Sequence, residues 1–282
     1  MHLAWCCKCV QSGANAMGEL PLSHETVVRQ GSWSRFLDYA GAGLKALPDR
    51  IFPALCEGCD SPVSQNGTLC GTCWSSVRFL EAPLCPVMGT PFTHDFGAHF
   101  LSAEAIADPP PFRRLRSVAC HDGSARHAGI SLKYYDRLDL APWMARWMQR
   151  AGQELLEDCD VIIPVPLHRK RLWRRRYNQA AELARVLAKL SGKTYDPSAL
   201  QRIKDTRQQA ELSQSERLRN VAGAFRVPEA GRSNVQGRSV LLVDDVYTTG
   251  ATVKAACRAL LKAGADSVDV LTFGRVLPEG MR

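Results

Sequence analysis

The segment that decides the fold is Val240-Leu-Leu-Val-Asp-Asp-Val-Tyr-Thr-Thr-Gly-Ala-Thr252. Its apolar beginning predicts a buried parallel strand over residues 240–243, and ligands of open α/β sheets bind beyond the carboxyl ends of such strands. Residues 251–261 have the apolar spacing of a helix, so the loop before them brings backbone amides to the positive helix end. The segment therefore predicts a phosphate site.

The loop and the acidic pair ahead of it have separate predicted roles. Asp244 and Asp245 leave the strand on opposite sides, and we expect this catalytic pair to accept hydrogen bonds from ribose hydroxyls, directly or through hydrated Mg²⁺. An Asp pair in an ordinary helix cap is the alternative, but the Thr-Thr-Gly-x-Thr loop behind an apolar strand favours a ligand. The predicted phosphate-binding residues are Thr248, Thr249, Gly250, Ala251 and Thr252.

Strands and helices alternate along the C-terminal half of the chain. Apolar strands are predicted at residues 160–164 and 268–273, and helices begin near Asn178 and at Ala251. Such alternation is typical of a mostly parallel sheet with helices on both faces, which is the α/β class. Two further helices are predicted before this region, over residues 125–135 and 138–156.

The chain has 282 residues, of which 45% are hydrophobic, and this is enough for two sizeable units. We predict an extension over residues 1–48 that contains an amphipathic helix at 33–47, a metal-binding module at 49–90 and an α/β domain at 113–282. Residues 91–112 are predicted to be a Pro-rich linker. The sequence has neither a secretory signal pattern nor a run long enough to span a bilayer, so a cytoplasmic location is expected.

Four of the eleven cysteines form two Cys-x-x-Cys pairs that are ten residues apart: Cys56, Cys59, Cys70 and Cys73. Four thiolates at this spacing can close a tetrahedral zinc site, and a closed site is structural because it leaves no position for a catalytic water. A redox pair is the competing interpretation of a single Cys-x-x-Cys, but two adjacent pairs favour zinc.

The net charge of +8 favours polyanionic partners, and six of the eight residues from 169 to 176 are basic. Aromatic residues within such a run suit single-stranded DNA, because phosphates meet the cations and bases stack on the rings. A solvated charged face is the plainer interpretation, and part of the run could instead bind pyrophosphate. The predicted nucleic-acid residues are Trp173, Arg174, Arg175, Arg176 and Tyr177.

A resemblance to known families rests on these motifs. Residues 242–252 resemble the phosphoribosyl diphosphate motif of type I phosphoribosyltransferases. Over residues 48–276 the chain resembles the ComF (GntX-like) competence proteins. The further segments that carry this resemblance are residues 56–73, Leu132-Lys133-Tyr134, Pro164-Val165-Pro166-Leu167, Asn178-Gln179-Ala180, residues 206–209, and Arg217 with Asn220.

The resemblance implies a zinc-ribbon-like module ahead of a type I phosphoribosyltransferase fold, with a role in DNA uptake during natural transformation. It implies a competence helicase or other DNA-uptake proteins as partners, and family members often carry a further Cys-x-x-Cys. Here Cys85 is followed by Met88 at that position, which counts against a second metal site. It also implies a pyrophosphate loop with Arg169, Lys170 and Arg171, and a lid loop with Arg207, Gln209 and Arg217.

Two functions remain open at the level of sequence. The first is a competence-associated adaptor that binds phosphoribosyl diphosphate with Mg²⁺ and acts on single-stranded DNA. The second is a metabolic phosphoribosyltransferase that transfers ribose 5-phosphate to an unidentified base or amine. The sequence identifies no general base, so ligand binding is better supported than transfer.

Overall fold

The computed structural model describes residues 54–65, 67–134, 137–205 and 221–277, and the predicted helix at 33–47 lies outside these ranges. The helices are α1 (Gly71–Ser75), α2 (Ala103–Ala107), α3 (Gly123–Tyr134), α4 (Ala141–Ala151), α5 (Gln153–Asp158), α6 (Arg169–Arg175), α7 (Gln179–Ser191) and α8 (Ala251–Lys262). The strands are β1 (Leu115–Cys120), β2 (Val161–Pro164), β3 (Thr194–Tyr195), β4 (Gln201–Arg202), β5 (Phe225–Arg226), β6 (Ser239–Tyr247) and β7 (Ser267–Arg275).

Five of the described strands form one sheet in the order β1-β7-β6-β2-β3, and every pairing in it is parallel. The predicted α/β class with a parallel sheet is confirmed. Strand β6 runs four residues past its predicted end at Val243, because β7 pairs with it as far as Tyr247. Strand β2 stops at Pro164, which lies opposite Val243. The carboxyl half of β6 therefore has a neighbour on one side and an open space on the other.

Each face of the sheet has its own hydrophobic core, because alternate strand residues point to opposite faces. On one face Leu242 and Val270 pack with the buried side of α8. On the other face Leu241 and Leu271 pack with α3, α4 and α7. The burial of both faces explains why β6 begins as a continuous apolar run.

Two small ribbons flank the sheet near β1. The first ribbon comprises residues 54–75 and the second ribbon residues 83–107. Val77, just after the first ribbon, belongs to the core beneath α3 and α4, whereas Met88 of the second ribbon belongs to the core beneath α8. Between the ribbons, the amide of Leu80 donates to the carbonyl of Val118 and so covers the edge of β1. Both ribbons and the sheet belong to one compact unit, Phe52–Arg282.

Two predicted elements differ from the structure. The single helix predicted over residues 138–156 is a 3₁₀ turn, Leu138–Leu140, followed by α4 and α5, which are separated at Gly152. A Cβ atom at Gly152 would lie 2.7 Å from Leu271 on β7, so the chain bends where the sheet comes too close for a side chain. The predicted linker at 91–112 is instead packed, because it contains α2 and contributes the buried Ala105 and Phe112 to the core.

The division into residues 1–48, 49–90 and 113–282 stays a prediction. None of the helices in the described ranges has both the length and the apolar character that a bilayer span requires. The cytoplasmic location likewise stays a prediction.

Candidate functional site

A tight loop joins β6 to α8 and forms the cradle, which we define as residues 248–252. Gly250 has φ +73°, in the left-handed region, and it is the residue from which α8 starts. A Cβ atom there would lie 2.2 Å from the Tyr247 hydroxyl oxygen. Glycine is therefore required both by backbone conformation and by the ring that supports the loop.

The cradle presents unused hydrogen-bond donors. Within the described part of the chain, the amides of Thr248, Thr249, Gly250 and Ala251 donate to no acceptor. The Thr249 hydroxyl oxygen is buried and has no partner there either. Buried polar groups are normally paired, and amides at the first turn of a helix favour an anion. This arrangement can accept a phosphate group.

The acidic pair lies within β6 and not beyond its end. Asp244 accepts a hydrogen bond from the Asp245 amide (3.0 Å), and Asp245 accepts one from the Val246 amide (2.8 Å). Asp245 also lies 3.7 Å from the Lys133 ammonium group on α3. Burial and the neighbouring charge of Asp245 raise the pKa of Asp244 well above its usual range. Bound cations or hydroxyl donors would relieve this unfavourable pairing.

A cavity of about 270 Å³ connects the acidic pair to the cradle. It opens where β2 ends before β6 does, and four basic side chains line it: Lys133, Arg171, Arg175 and Arg202. The described site thus combines amide donors, two carboxylates and four cations. A phosphorylated sugar with more than one phosphate group matches these features in charge.

The basic side of the cavity is assembled from separate elements. Arg171 and Arg175 are one turn apart on α6, so they share a face of that helix. Arg202 reaches the cavity from β4, where it is mostly buried beside the Phe225 ring. Burial and the charge of Arg171 lower the pKa of the Arg202 guanidinium to about 10, so it is still protonated at neutral pH.

Only one of the three predicted pyrophosphate residues lines the cavity. Arg171 lines the cavity, whereas Arg169 and Lys170 are exposed. The Lys170 ammonium group lies 3.4 Å from Asp205. Sequence reasoning missed Lys133, Arg175 and Arg202 as cavity residues. Lys133 had a signal, since it lies in one of the family motifs, whereas Arg202 stands alone on a two-residue strand.

The arginine run also has a second face, which points away from the cavity. A separate surface recess is lined by Arg169, Leu172, Trp173, Arg174 and Arg176, and we call these residues the outer face of α6. Trp173 is 88% exposed there, although large aromatic side chains are usually buried.

Two predicted nucleic-acid residues lie elsewhere: Arg175 lines the cavity, and the Tyr177 hydroxyl donates to the Leu132 carbonyl. The predicted lid residues Arg207, Gln209 and Arg217 lie outside the described residues.

The first ribbon has the donor set and geometry of a zinc site. The sulfur atoms of Cys56, Cys59, Cys70 and Cys73 all lie within 4.8 Å of one another, and those of Cys59 and Cys70 are 3.7 Å apart. A tetrahedron with Zn–S bonds of 2.3 Å has edges of about 3.8 Å. Hydrogen bonding to Ser61 lowers the pKa of Cys59 to about 6, which favours the thiolate that zinc binds. These residues fit a structural zinc ion.

The second ribbon repeats the backbone of the first without its ligands. In the first ribbon, Leu55 bridges to Pro62, and the Cys70 amide donates to the Cys56 sulfur (3.1 Å). In the second, Leu84 bridges to Pro91, and the Ser102 amide donates to the Cys85 sulfur (3.3 Å).

Ser102 caps α2 as Cys70 caps α1, so the ligand positions of the two ribbons correspond, although the second ribbon has three more residues between its two halves. The aligned second set is Cys85, Met88, Ser102 and Ala105. A thioether, a hydroxyl and a methyl group replace three thiolates, so this set does not fit zinc.

Comparison with known protein families agrees with the description of the ribbons and of the sheet domain. The double zinc ribbon domain model matches residues 47–106, and the phosphoribosyl transferase domain model matches residues 179–275. Among solved structures, the allosteric regulatory enzyme of purine biosynthesis aligns with 56% of this chain and 30% of its own, at 22% identity and a TM-score of 0.36. The two domain models and the parallel sheet together define a protein of the phosphoribosyltransferase fold class with a zinc ribbon ahead of the sheet.

Relatives that align with this chain, two of them over at least 80% of its length, narrow the fold class to a family. DNA utilization protein YhgH of Escherichia coli (strain K12) is 33% identical over 234 residues, which cover 80% of this chain and 98% of that protein. Competence protein ComFC of Bacillus subtilis (strain 168) is 26% identical over 84% of this chain and 98% of its own length. Competence protein F of Haemophilus influenzae is 36% identical over 116 residues, 41% of this chain and 50% of that protein. The chain belongs to the ComF family.

Proposed function

We propose that this protein binds phosphoribosyl diphosphate or a closely related sugar phosphate, together with Mg²⁺, and handles single-stranded DNA during DNA uptake. The observation that carries the ligand proposal is the cradle, where the amides of residues 248–251 have no acceptor among the described residues. Groups of this kind are costly to leave unpaired, so they favour an anion that completes them.

The proposed ligand spans the cavity from the cradle to α6. The 5-phosphate accepts hydrogen bonds from the cradle amides, and the ribose hydroxyls donate to Asp244 and Asp245. The diphosphate faces Arg171, Arg175 and Arg202, whose positive charges line the far side. Asp244 and Asp245 would also hold Mg²⁺, which would neutralise diphosphate charge while retaining several water ligands.

The DNA proposal rests on the outer face of α6 and on the printed names of the relatives, which concern DNA utilization and competence. Trp173 offers an exposed ring for base stacking, and Arg174 and Arg176 stand beside it as phosphate contacts. Since this face and the cavity use opposite sides of one short helix, DNA and sugar phosphate need not compete for the same residues.

The ligand half is tested by calorimetry with phosphoribosyl diphosphate and Mg²⁺ on wild type and on Asp244→Asn/Asp245→Asn. We expect the variant to bind at least about 100-fold more weakly, since several charged hydrogen bonds are lost. Matched DNA affinities would show that the variant is folded. Equal binding of the sugar phosphate by both proteins would refute the assigned site.

The DNA half is tested with Trp173→Ala/Arg174→Ala/Arg176→Ala, which leaves the cavity residues Arg171 and Arg175 in place. We expect weaker binding of an unstructured oligonucleotide and a salt dependence reduced by about 0.7 in logarithmic slope per lost phosphate contact. Sugar phosphate affinity should stay at the wild-type value. Unchanged DNA affinity at matched salt would exclude this face.

The metabolic alternative is a phosphoribosyltransferase, and the basic side of the cavity favours it by offering stabilisation to departing pyrophosphate. An assay for pyrophosphate release, run with candidate bases and amines on the same samples, separates transfer from binding. Sustained release that depends on one acceptor supports the enzyme. Binding without release supports the adaptor.

A further inference from the structure

Arg275, the last residue of β7, ties the sheet to the second ribbon. It is 1% exposed, and its guanidinium donates to the Met88 carbonyl, to the Thr90 hydroxyl (3.0 Å) and to the Glu104 carboxylate (2.8 Å). All three acceptors belong to the second ribbon. Met88, which stands where the first ribbon has Cys59, thus supplies a carbonyl to this contact.

On its other side Arg275 meets the residue that supports the cradle. Its guanidinium carbon lies 5.4 Å from the centre of the Tyr247 ring, in the range of a cation–π contact. The two residues are also paired in register between β6 and β7. The Tyr247 hydroxyl in turn occupies the space beneath Gly250. A continuous series of contacts therefore runs from the second ribbon through Arg275 and Tyr247 to the cradle.

Burying a guanidinium between two elements carries a large desolvation penalty. Charges taken out of water lose solvation, and well-packed apolar groups usually stabilise such a position at least as well. Burial lowers the pKa of Arg275, and only Glu104 faces it as an ion-pair partner among the described residues. The planar, many-donor geometry of arginine fixes orientation, which a purely apolar contact would not do.

We propose that Arg275 is a positioning residue that sets the shape of the phosphate cradle by joining Tyr247 to a second ribbon that holds no metal. The second ribbon then has a function different from that of the first: it transmits a fixed geometry to the ligand site. This inference rests on the proposed function for its effect on affinity, but its effect on the cradle itself does not require the ligand.

The test compares conservative replacements of two arginines that contact opposite ends of β7. Arg275→Lys keeps the charge but loses the several directed donors. The control is Arg114→Lys, because Arg114 pairs with Asp269 (2.6 Å) near the start of β7, remote from the cradle. Glu104→Gln is a milder second variant, since its carboxylate is partly exposed and its loss leaves Arg275 in place. Each protein is assayed for thermal unfolding, zinc content and affinity for phosphoribosyl diphosphate with Mg²⁺.

A positioning role predicts that Arg275→Lys raises the Kd by about tenfold or more, since small displacements of a preorganised site have large effects. Glu104→Gln should shift it in the same direction, and Arg114→Lys should leave it unchanged at a comparable loss of Tm. Zinc content should not change. Equal Kd values in all four proteins would reduce Arg275 to a structural tie.

Hydrogen exchange at the start of α8 decides the matter even if wild type fails to bind phosphoribosyl diphosphate, which would refute the proposed function alone. We expect about tenfold faster exchange in Arg275→Lys than in wild type at the first hydrogen-bonded amides of α8, beginning with Lys254, whose amide donates to the Gly250 carbonyl (2.7 Å), because local opening of the cradle becomes easier. Arg114→Lys should leave these amides at the wild-type rate. Acceleration by both variants alike, or by neither, would overturn the inference.

Discussion

The two ribbons share one backbone but fill it differently. In each, the leucine of a Leu-Cys pair bridges to a proline seven residues later, and the backbone amide of the residue that caps the following helix donates to the first cysteine sulfur. The first ribbon completes this frame with three more thiolates, whereas the second places Met88, Ser102 and Ala105 there. The same backbone arrangement therefore occurs both with four metal-binding side chains and without them.

The two ribbons also differ in how deeply their corresponding positions are buried. Of the four ligand positions in the first ribbon, only Cys56 and Cys73 are buried, and Cys59 is exposed. Cys85, Met88 and Ala105 of the second ribbon are buried and belong to the same core as α8. Apolar burial can stabilise a turn only when a core is at hand. The second ribbon thus packs against the core through the positions that correspond to the thiolates of the first.

The largest effect is expected from Cys56→Ser. It removes a thiolate that also accepts two backbone amides, so the zinc ion should be lost and the first ribbon should open. The free energy of unfolding should fall by about 5 kcal/mol or more, given the size of structural zinc contributions. Zinc analysis and thermal unfolding measure this, and full zinc retention would contradict the assignment.

The next effect is a gain. Met88→Cys/Ser102→Cys/Ala105→Cys rebuilds four thiolates on the second ribbon, and metal content should rise from one zinc per chain to two. At zinc concentrations about 1,000-fold above the Kd, the added site should stabilise the fold by about 4 kcal/mol. Met88→Cys alone serves as the control with a single new thiol. A triple variant that still binds one zinc would show that the two frames are not equivalent.

Met88→Ala tests the apolar filling directly. Its side chain is fully buried, so truncation leaves a cavity that should lower the free energy of unfolding by about 3 kcal/mol. Because the second ribbon holds no metal, the same loss should appear with and without a chelator. Denaturant unfolding under both conditions measures it, and a loss that disappears with chelation would link this core to zinc.

The smallest effect is expected from Cys85→Ser, the counterpart of Cys56→Ser. Only two weak amide contacts to sulfur are altered, so we expect a loss of about 1 kcal/mol and unchanged zinc content. The contrast between the two cysteines at equivalent positions is the sharpest measure of how the ribbons differ. Zinc loss in Cys85→Ser would break the comparison.

Local sequence predicted the strand, the cradle and α8 well, because one short segment contains all three. The continuation of β6 through Asp244 to Tyr247 depends on pairing with β7, which lies twenty residues away and leaves no local signal. Arg202 was missed for a similar reason, since its strand β4 is fixed by antiparallel pairing with β5, which is more than twenty residues away in sequence.

The second ribbon was visible only in part. Cys85 and Met88 were recognised in the sequence, but Ser102 and Ala105 have no metal-binding chemistry and became meaningful only through the repeated backbone. One signal could have exposed the repeat: a Leu-Cys pair is followed by proline at the same spacing in both ribbons, at Pro62 and at Pro91. Side-chain chemistry alone could not have shown it.

The raised pKa of Asp244 means that ionisation of this side chain, which the proposed ligand site uses, lowers the stability of the fold. Because the folded state holds its proton more tightly than the unfolded chain does, the free energy of unfolding decreases as pH rises from the usual carboxyl range through the raised folded pKa. The ionised form of this side chain therefore weakens the fold. Laboratory selection for heat resistance alone would enrich Asn at position 244 and discard the carboxylate that our proposal assigns to the ribose hydroxyls, so thermostabilised versions should be screened for binding at every round.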